Sequence, residues 1–327
     1  MDKIRVAMVG CGGFQRYRAG NLAKVREAEI VALVDPSAEQ MSMFREQHPQ
    51  TQTVPGFEDH RKMLDEIKPD AIMIATPHTQ HVTQILDGFD AGAHVCCEKP
   101  VVTTVEHAHK IIAARDKAGK VGMVSYQRHF QPEFRYIRDR IQSGEPGKVQ
   151  FIAALQGQSW LRGTRGAWRQ VKSLSGGGQL NDSGSHLIDI VLWSSGLSVA
   201  SVSAYGDSFG TEVDINSAIA LQFKDGALGT FSVVGNGIGW HEDVTFFCEE
   251  QVFYVREGKL TITDRNDNRM KAEHLGGGST PDKNFIDACR GVAECESPFE
   301  CGLEVIRLTE AAWKSIDNHG APAAVTD

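Results

Sequence analysis

Three side chains in this 327-residue chain have the types that a proton transfer needs. Lys99 stands in HVCCEKPV (94–101), after an apolar run and before Pro100. Asp182 and His186 are four apart in GGGQLNDSGSHLIDIVLWSSG (176–196). On a helix they share a face with Asp189 and Trp193, while Leu187, Ile188, Val191 and Leu192 make an apolar stripe. Near a helix start, the dipole disfavours imidazolium and keeps a neutral base available at pH 7. Asp182 either orients that imidazole or caps the helix by satisfying a backbone amide. Taken alone, a cap and a structural histidine explain the pair.

A second constellation points to phosphate. In IRVAMVGCGGFQ (4–15), Gly10 and Gly12 occupy the first two positions of GxGxxG between a strand and a helix. The first glycine permits a tight turn, the second lets backbone approach a pyrophosphate, and the free N–H groups of the helix end favour the anion. The third position is Gln15, which alters the close helix–strand packing expected there. Asp35 follows Gly12 by 23 residues, near the distance at which an acid meets a ribose diol. It either binds that diol or caps the helix beginning near Ser37. A carboxylate repels a 2′-phosphate, and no arginine follows directly, so NAD is favoured over NADP.

The elements that position these residues divide the chain. Up to residue 125, short apolar runs (4–9, 29–34, 71–75, 94–97 and 121–125) alternate with amphipathic stretches (37–47, 57–67, 78–91 and 104–118). That alternation predicts a parallel sheet covered on both faces, a doubly wound α/β domain. Beyond it come helices at 131–143 and about 183–195, then consecutive strand-like runs from 199 to 263, then helices at 281–292 and 302–318. Strands without intervening helices predict a largely antiparallel sheet. An open face on such a sheet needs a cover, and a second copy of the chain would supply it. The expected domains are residues 1–125 and 126–327.

The polar segment 157–178 carries Trp160, Trp168, Arg162, Arg165 and Arg169. Tryptophan faces suit the C–H faces of sugar rings and arginines suit hydroxyls or a carboxylate; a loop pinned by its own tryptophans is the alternative. Trp168 and Arg169 are the candidate substrate contacts.

Composition excludes other classes. Hydrophobic residues make up 41% and charged residues 23%, a soluble globular profile. A net charge of −8 leaves no basic excess for nucleic acid. No apolar run approaches the roughly 20 residues of a membrane span. Seven cysteines without a CxxC pair suit a reducing compartment, and MDKIRVAMVG enters a strand pattern directly, so a cytoplasmic location is expected. His94, Cys96 and Cys97 alternate along a strand and do not converge, so no metal site is expected.

Together, GCGGF, ATPHTQH (75–81), DAGAHVCCEKPV (90–101), SYQRHFQPEF (125–134) and GGGQLNDSGSHLIDIVLW (176–193) make the whole chain resemble the glucose–fructose oxidoreductase / inositol dehydrogenase / rhizopine-catabolism (Gfo/Idh/MocA) family. The resemblance implies an N-terminal Rossmann domain and a C-terminal α/β domain whose open sheet serves oligomerisation, as a homodimer or homotetramer. It implies NAD(P)-dependent oxidation or reduction of a sugar, polyol or inositol. By motif, Lys99, Asp182 and His186 become the catalytic set. Gly10, Gly12, Gly13, Phe14, Asp35, Thr76, Pro77, His81 and Glu98 match cofactor positions, as does Gln127, where many members carry asparagine.

Lys99 then has a reason to stand at a strand end: ligands bind outside the carboxyl ends of such strands. Glu98 and Lys99 should point to opposite sides, and Pro100 holds Lys99 extended and invites a cis bond. A neutral imidazole alone matches an alcohol proton poorly. An ammonium at ~4 Å and an effective dielectric near ~20 contributes on the order of 4 kcal/mol, roughly three pKa units, toward the alkoxide. The expected roles are thus Lys99 as electrostatic stabiliser and His186 as acid/base. A glycosidase that oxidises, eliminates and re-reduces with tightly bound NAD is an alternative, and a non-catalytic sugar or NAD sensor a further one.

Overall fold

The computed structural model describes residues 3–272, 275 and 279–326. In chain order the elements are β1 (Ile4–Val9), α1 (Gly13–Leu22), β2 (Ala28–Val34), α2 (Ala38–Gln47), β3 (Gly56–Phe57), α3 (His60–Ile67), β4 (Ala71–Ile74), α4 (His81–Asp90), β5 (His94–Cys97), α5 (Val105–Ala118) and β6 (Gly122–Val124). There follow α6 (Pro132–Ser143), β7 (Val149–Gly157), α7 (Trp160–Gly163), α8 (Lys172–Ser175), α9 (Gly184–Ser195), β8 (Val199–Asp207), β9 (Asn216–Phe223) and β10 (Leu228–Val234). Last come β11 (His241–Cys248), β12 (Gln251–Arg256), β13 (Lys259–Asp264), β14 (Arg269–Met270), α10 (Pro281–Cys289), α11 (Phe299–Asp317) and β15 (Ala323–Ala324).

The chain forms two compact units: Met1–Val102 with Glu106–Tyr126 and Ser279–Gly302, and Thr103–Val105 with Gln127–Gly278 and Leu303–Asp327. The first is built on a six-stranded sheet of order β3-β2-β1-β4-β5-β6, parallel throughout. Every residue of β4 is buried, as a strand covered on both faces requires. The strand order reverses between β1 and β4, so the crevice of a Rossmann sheet opens where Gly10 and Thr76 leave those strands. Gln15 is fully buried and its Nε2 donates to Met73 O at 2.6 Å, so a polar stitch replaces the contact a small residue would make.

A single cut at residue 125 does not describe this division. Residues 279–302 return to the first unit because α10 meets α1 through a buried ion pair, Arg18 to Asp282 at 2.8 Å. Pro298 also bridges Met123, and the ring of Phe299 fills the space left by the missing side chain of Gly122. Tertiary pairing of this kind leaves no local trace in the sequence.

The second unit holds a nine-stranded sheet of order β14-β13-β12-β11-β7-β10-β9-β8-β15, antiparallel except where β10 runs parallel to β7. Its strands alternate: Ile219, Leu221, Phe223, Phe231 and Val233 are buried, whereas Ala218, Ala220, Gln222, Leu228 and Thr230 are exposed. On the buried face α9 lies against β7, and α11 meets β8, where Ser315 Oγ accepts from the Ala204 N–H at 2.9 Å. The long segment after β7 is not bare loop but carries the short helices α7 and α8. Among the described residues no helix is long and apolar enough to cross a membrane.

Candidate active site

In the first unit, β1 delivers Gly10 with φ +85°, where an added Cβ would stand 2.7 Å from the Ala75 carbonyl oxygen. Only glycine fits there. Gly12 is the N-cap of α1, its carbonyl accepting from the Arg16 N–H at 3.0 Å, and a Cβ on it would meet nothing within 4 Å. Open space above a helix end with no acidic residue in its first turn suits an anion. Gly13 and the half-exposed Phe14 open the helix.

Beside this loop lies a cavity of about 400 Å³, lined by Gly10, Asp35, Asp59, Thr76, Thr79 and Gln84 among others. Asp35 Oδ2 accepts from the Cys11 N–H at 2.8 Å and Oδ1 from the Ser37 N–H at 2.9 Å. The N-cap of α2 is Ser37 itself, whose hydroxyl accepts from Gln40 N–H. Asp35 therefore braces the glycine loop rather than capping the helix, and each carboxylate oxygen keeps a lone pair for a ligand hydroxyl. A glycine cradle, a free helix end and a carboxylate-lined cavity fit a dinucleotide.

His81 joins the two motifs of this unit. Its Nε2 lies 2.9 Å from Thr76 O and its Nδ1 2.9 Å from Pro100 O. Burial, opposed by those carbonyls, pushes the imidazole down to about 4. It is therefore neutral at pH 7, and one carbonyl receives its single N–H. Pro77 precedes the helical turn 78–80, which leads directly into α4.

At the end of β5 the chain splits its charges. Glu98 is buried, with Arg18 Nη1 at 3.2 Å, and burial raises its carboxyl above the ordinary range against the opposing pull of Arg18. Arg18 also reaches Asp282 through Nε and Nη2, and Cys96 Sγ at 3.2 Å. Lys99 is half-buried, and the Lys99–Pro100 bond is cis.

In the second unit a different device sets Asp182. A Cβ on Gly178 would stand 1.9 Å from Asp214 O, and one on Gly177 would enter the Trp313 ring, so the run of three glycines lets backbone pass where side chains cannot. The Asp214 carboxylate accepts from the N–H groups of Gly178 (3.0 Å) and Leu180 (2.7 Å) and from Trp313 Nε1 (2.9 Å). The turn so fixed places Asp182, whose N–H donates to Gly178 O at 2.9 Å. Asp182 is buried, and its Oδ2 accepts from Trp160 Nε1 at 2.8 Å and from Arg169 Nε at 3.1 Å. The N-cap of α9 is Ser183, so Asp182 is not the cap. His186 lies in the first turn of α9, half-buried.

Asp189, on the same helix face in the sequence pattern, belongs elsewhere: it takes His129 Nε2 at 2.8 Å, and His129 stacks on Trp193 at 4.3 Å. Arg169 lies over the Trp168 ring at 4.5 Å, joining both candidate substrate residues to Asp182. The cavity of the first unit takes in Gly10, Asp35 and Thr76 but not Gly12, Gly13, Phe14, Pro77, His81, Glu98 or Gln127. Gln127 opens a helical turn of the second unit and is exposed. Arg18, Trp160 and Asp214 complete these arrangements without a motif of their own. Arg18 carried one signal, a charge on a short helix otherwise expected to pack on its sheet.

Known proteins share this architecture. Residues 4–126 match the family described as "Oxidoreductase family, NAD-binding Rossmann fold", and residues 134–254 match "GFO/IDH/MocA C-terminal domain". The chain is 27% identical over 249 residues to the D-glucoside 3-dehydrogenase of Escherichia coli K12, covering 73% of this chain and 69% of that one. It is 27% identical over 330 residues to the rhizopine catabolism protein MocA of Rhizobium meliloti, covering 95% of each. The crystal structure of an aldose–aldose oxidoreductase from Caulobacter crescentus superposes with a TM-score of 0.87 at 21% identity, over 98% of this chain and 99% of that one. With both of its halves matched in order, the chain belongs to the Gfo/Idh/MocA family and is an NAD-binding oxidoreductase.

Proposed function

We propose that the protein oxidises a secondary hydroxyl of a sugar, polyol or inositol derivative, with Lys99, Asp182 and His186 as the catalytic set. The observation that carries this reading is Asp182: a buried carboxylate held by Trp160 and Arg169 one turn before a half-buried histidine at a helix start. Bound NAD would be held by the glycine loop and the Asp35 cavity and would supply the hydride acceptor. Lys99 donates to the substrate oxygen and stabilises negative charge on it, and the His186 imidazole takes the hydroxyl proton. Asp182 stabilises the imidazolium that results. The E. coli relative's name, a glucoside dehydrogenase, supports a carbohydrate substrate.

Asp35 carries the preference for NAD over NADP, since both of its oxygens are pinned at the cavity where a 2′-phosphate would add like charge. The exposed face of the nine-stranded sheet carries homo-oligomerisation, to be read by sedimentation; a monomer at micromolar concentration refutes it. Residues 1–125 and 126–327 divide the work between cofactor and substrate, with 279–302 serving the former.

Purified protein with added NAD and a panel of sugars, inositols and glycosides tests the function by nicotinamide absorbance. NADH accumulating with one polyol class is expected, and Lys99→Met and His186→Ala each lower kcat far more than NAD affinity. Aglycone release without net NADH would replace this reading by the NAD-recycling glycosidase.

A further inference from the structure

Resting on the proposed function, we infer that the substrate carries an anionic group, a carboxylate or phosphate on the carbohydrate, received by the arginines of residues 160–170. From Trp160 to Lys172 the chain holds Arg162, Arg165, Arg169 and Lys172 and no carboxylate, within a protein whose net charge is −8. The nearby acids offset part of this set: Asp182 pairs with Arg169, and Glu212 accepts from the Lys172 N–H. Asp214 accepts from two backbone N–H groups and Trp313 and pairs with none of the arginines. Arg162 and Arg165 are exposed and, among the described residues, neither pairs with a carboxylate.

The geometry of Arg169 makes the charge usable. Its plane is set by the Trp168 ring at 4.5 Å and its Nε is committed to Asp182. Among the described residues its Nη1 and Nη2 have no hydrogen-bond partner, and the side chain is 37% exposed. A guanidinium anchored in this way offers its outer edge as a fork that matches two oxygens of one carboxylate or phosphate. Because Arg169 and Asp182 are together neutral, the field that favours an anion comes from Arg162 and Arg165, and salt screens it beyond about 8 Å at physiological strength.

The test compares kcat/KM for D-glucuronate, D-galacturonate and glucose 6-phosphate with those for glucose, galactose and myo-inositol. Tryptophan fluorescence titrations with the same compounds give binding without turnover. An anion preferred over its neutral parent by roughly 10- to 100-fold is expected, the range of a hydrogen bond to a charged group. That ratio falls severalfold in Arg162→Gln/Arg165→Gln and in 0.5 M salt, where the Debye length is roughly half its physiological value. Arg169→Lys, which keeps charge but loses the fork, lowers it as well. Equal or tighter binding and turnover of neutral parents overturns the inference and leaves the oxidoreductase reading standing. Anion binding by fluorescence with no NADH from any compound upholds the inference and sinks that reading. A preference for uronate or for the sugar phosphate names the anion.

Discussion

Replacing Arg18 by methionine tests whether the end of β5 is held by charge. The guanidinium is 2% exposed and stands 3.2 Å from Glu98 and 2.8 Å from Asp282, whose side chains are 8% and 4% exposed. Methionine fills much of the volume but leaves two buried carboxylates without a cation. Breaking one side of such a network costs about 3–5 kcal/mol. In a chain of this size that lowers the thermal midpoint of the first unit by on the order of 10 °C. The loss also depends on pH in a fixed direction. Without Arg18 the Glu98 carboxyl, already raised by burial, rises further above its unfolded value, so the folded protein holds a proton that the unfolded chain has released. Stability of the variant therefore falls as pH rises through that window and recovers as that carboxyl protonates below it. Circular-dichroism melts of the wild type, Arg18→Met and Arg18→Met/Asp282→Asn at pH 8 and pH 5.5 are the assay. The deficit is expected to be largest for the single variant at pH 8 and smaller in the double variant. A deficit under about 1 kcal/mol at pH 8, or one equal at both pH values, refutes the charge argument.

Gly10→Ala brings a methyl 2.7 Å from Ala75 O at a φ of +85°, so NAD affinity measured by calorimetry should drop at least ~10-fold; a near-normal Kd contradicts the tight turn. Trp160→Phe removes a donor to buried Asp182, a loss of ~1–3 kcal/mol, and should lower kcat about tenfold without changing NAD binding. His81 and His94 are both pushed down to about 4, mainly by burial. The unfolded chain therefore binds more protons between its ordinary histidine pKa of about 6.5 and 4, and stability present at pH 7 is lost on acidification through that range, about 3 kcal/mol for the buried His81 and less for the part-exposed His94, where solvent screens the effect. His94→Asn should flatten that slope in urea titrations, and an unchanged slope would assign the acid loss to other groups.

The alternation of apolar runs with amphipathic stretches was enough to read the parallel sheet, because a doubly covered strand has to be apolar along its length, as β4 is. Gly10 and the early turns of α9 were legible for a similar reason: backbone geometry and dipole act within a few residues. The short β3 was not read, since two residues carry no periodicity. Nor was the return of residues 279–302 to the first unit. Glu98 and Lys99 were visible as a charged pair after a strand, but the sequence placed no partner beside Glu98. Arg18 comes from 80 positions away and Asp282 from 184. Asp35 shows the division within one residue. Its distance from the glycine loop marked it as a ligand for a ribose, while only the tertiary structure revealed that both oxygens also hold backbone N–H groups. Local pattern thus determined which elements form and which residue types stand at their ends. Long-range packing decided which of those residues are braced, by what, and with how much buried charge, because pairing across the chain depends on contacts that no spacing records.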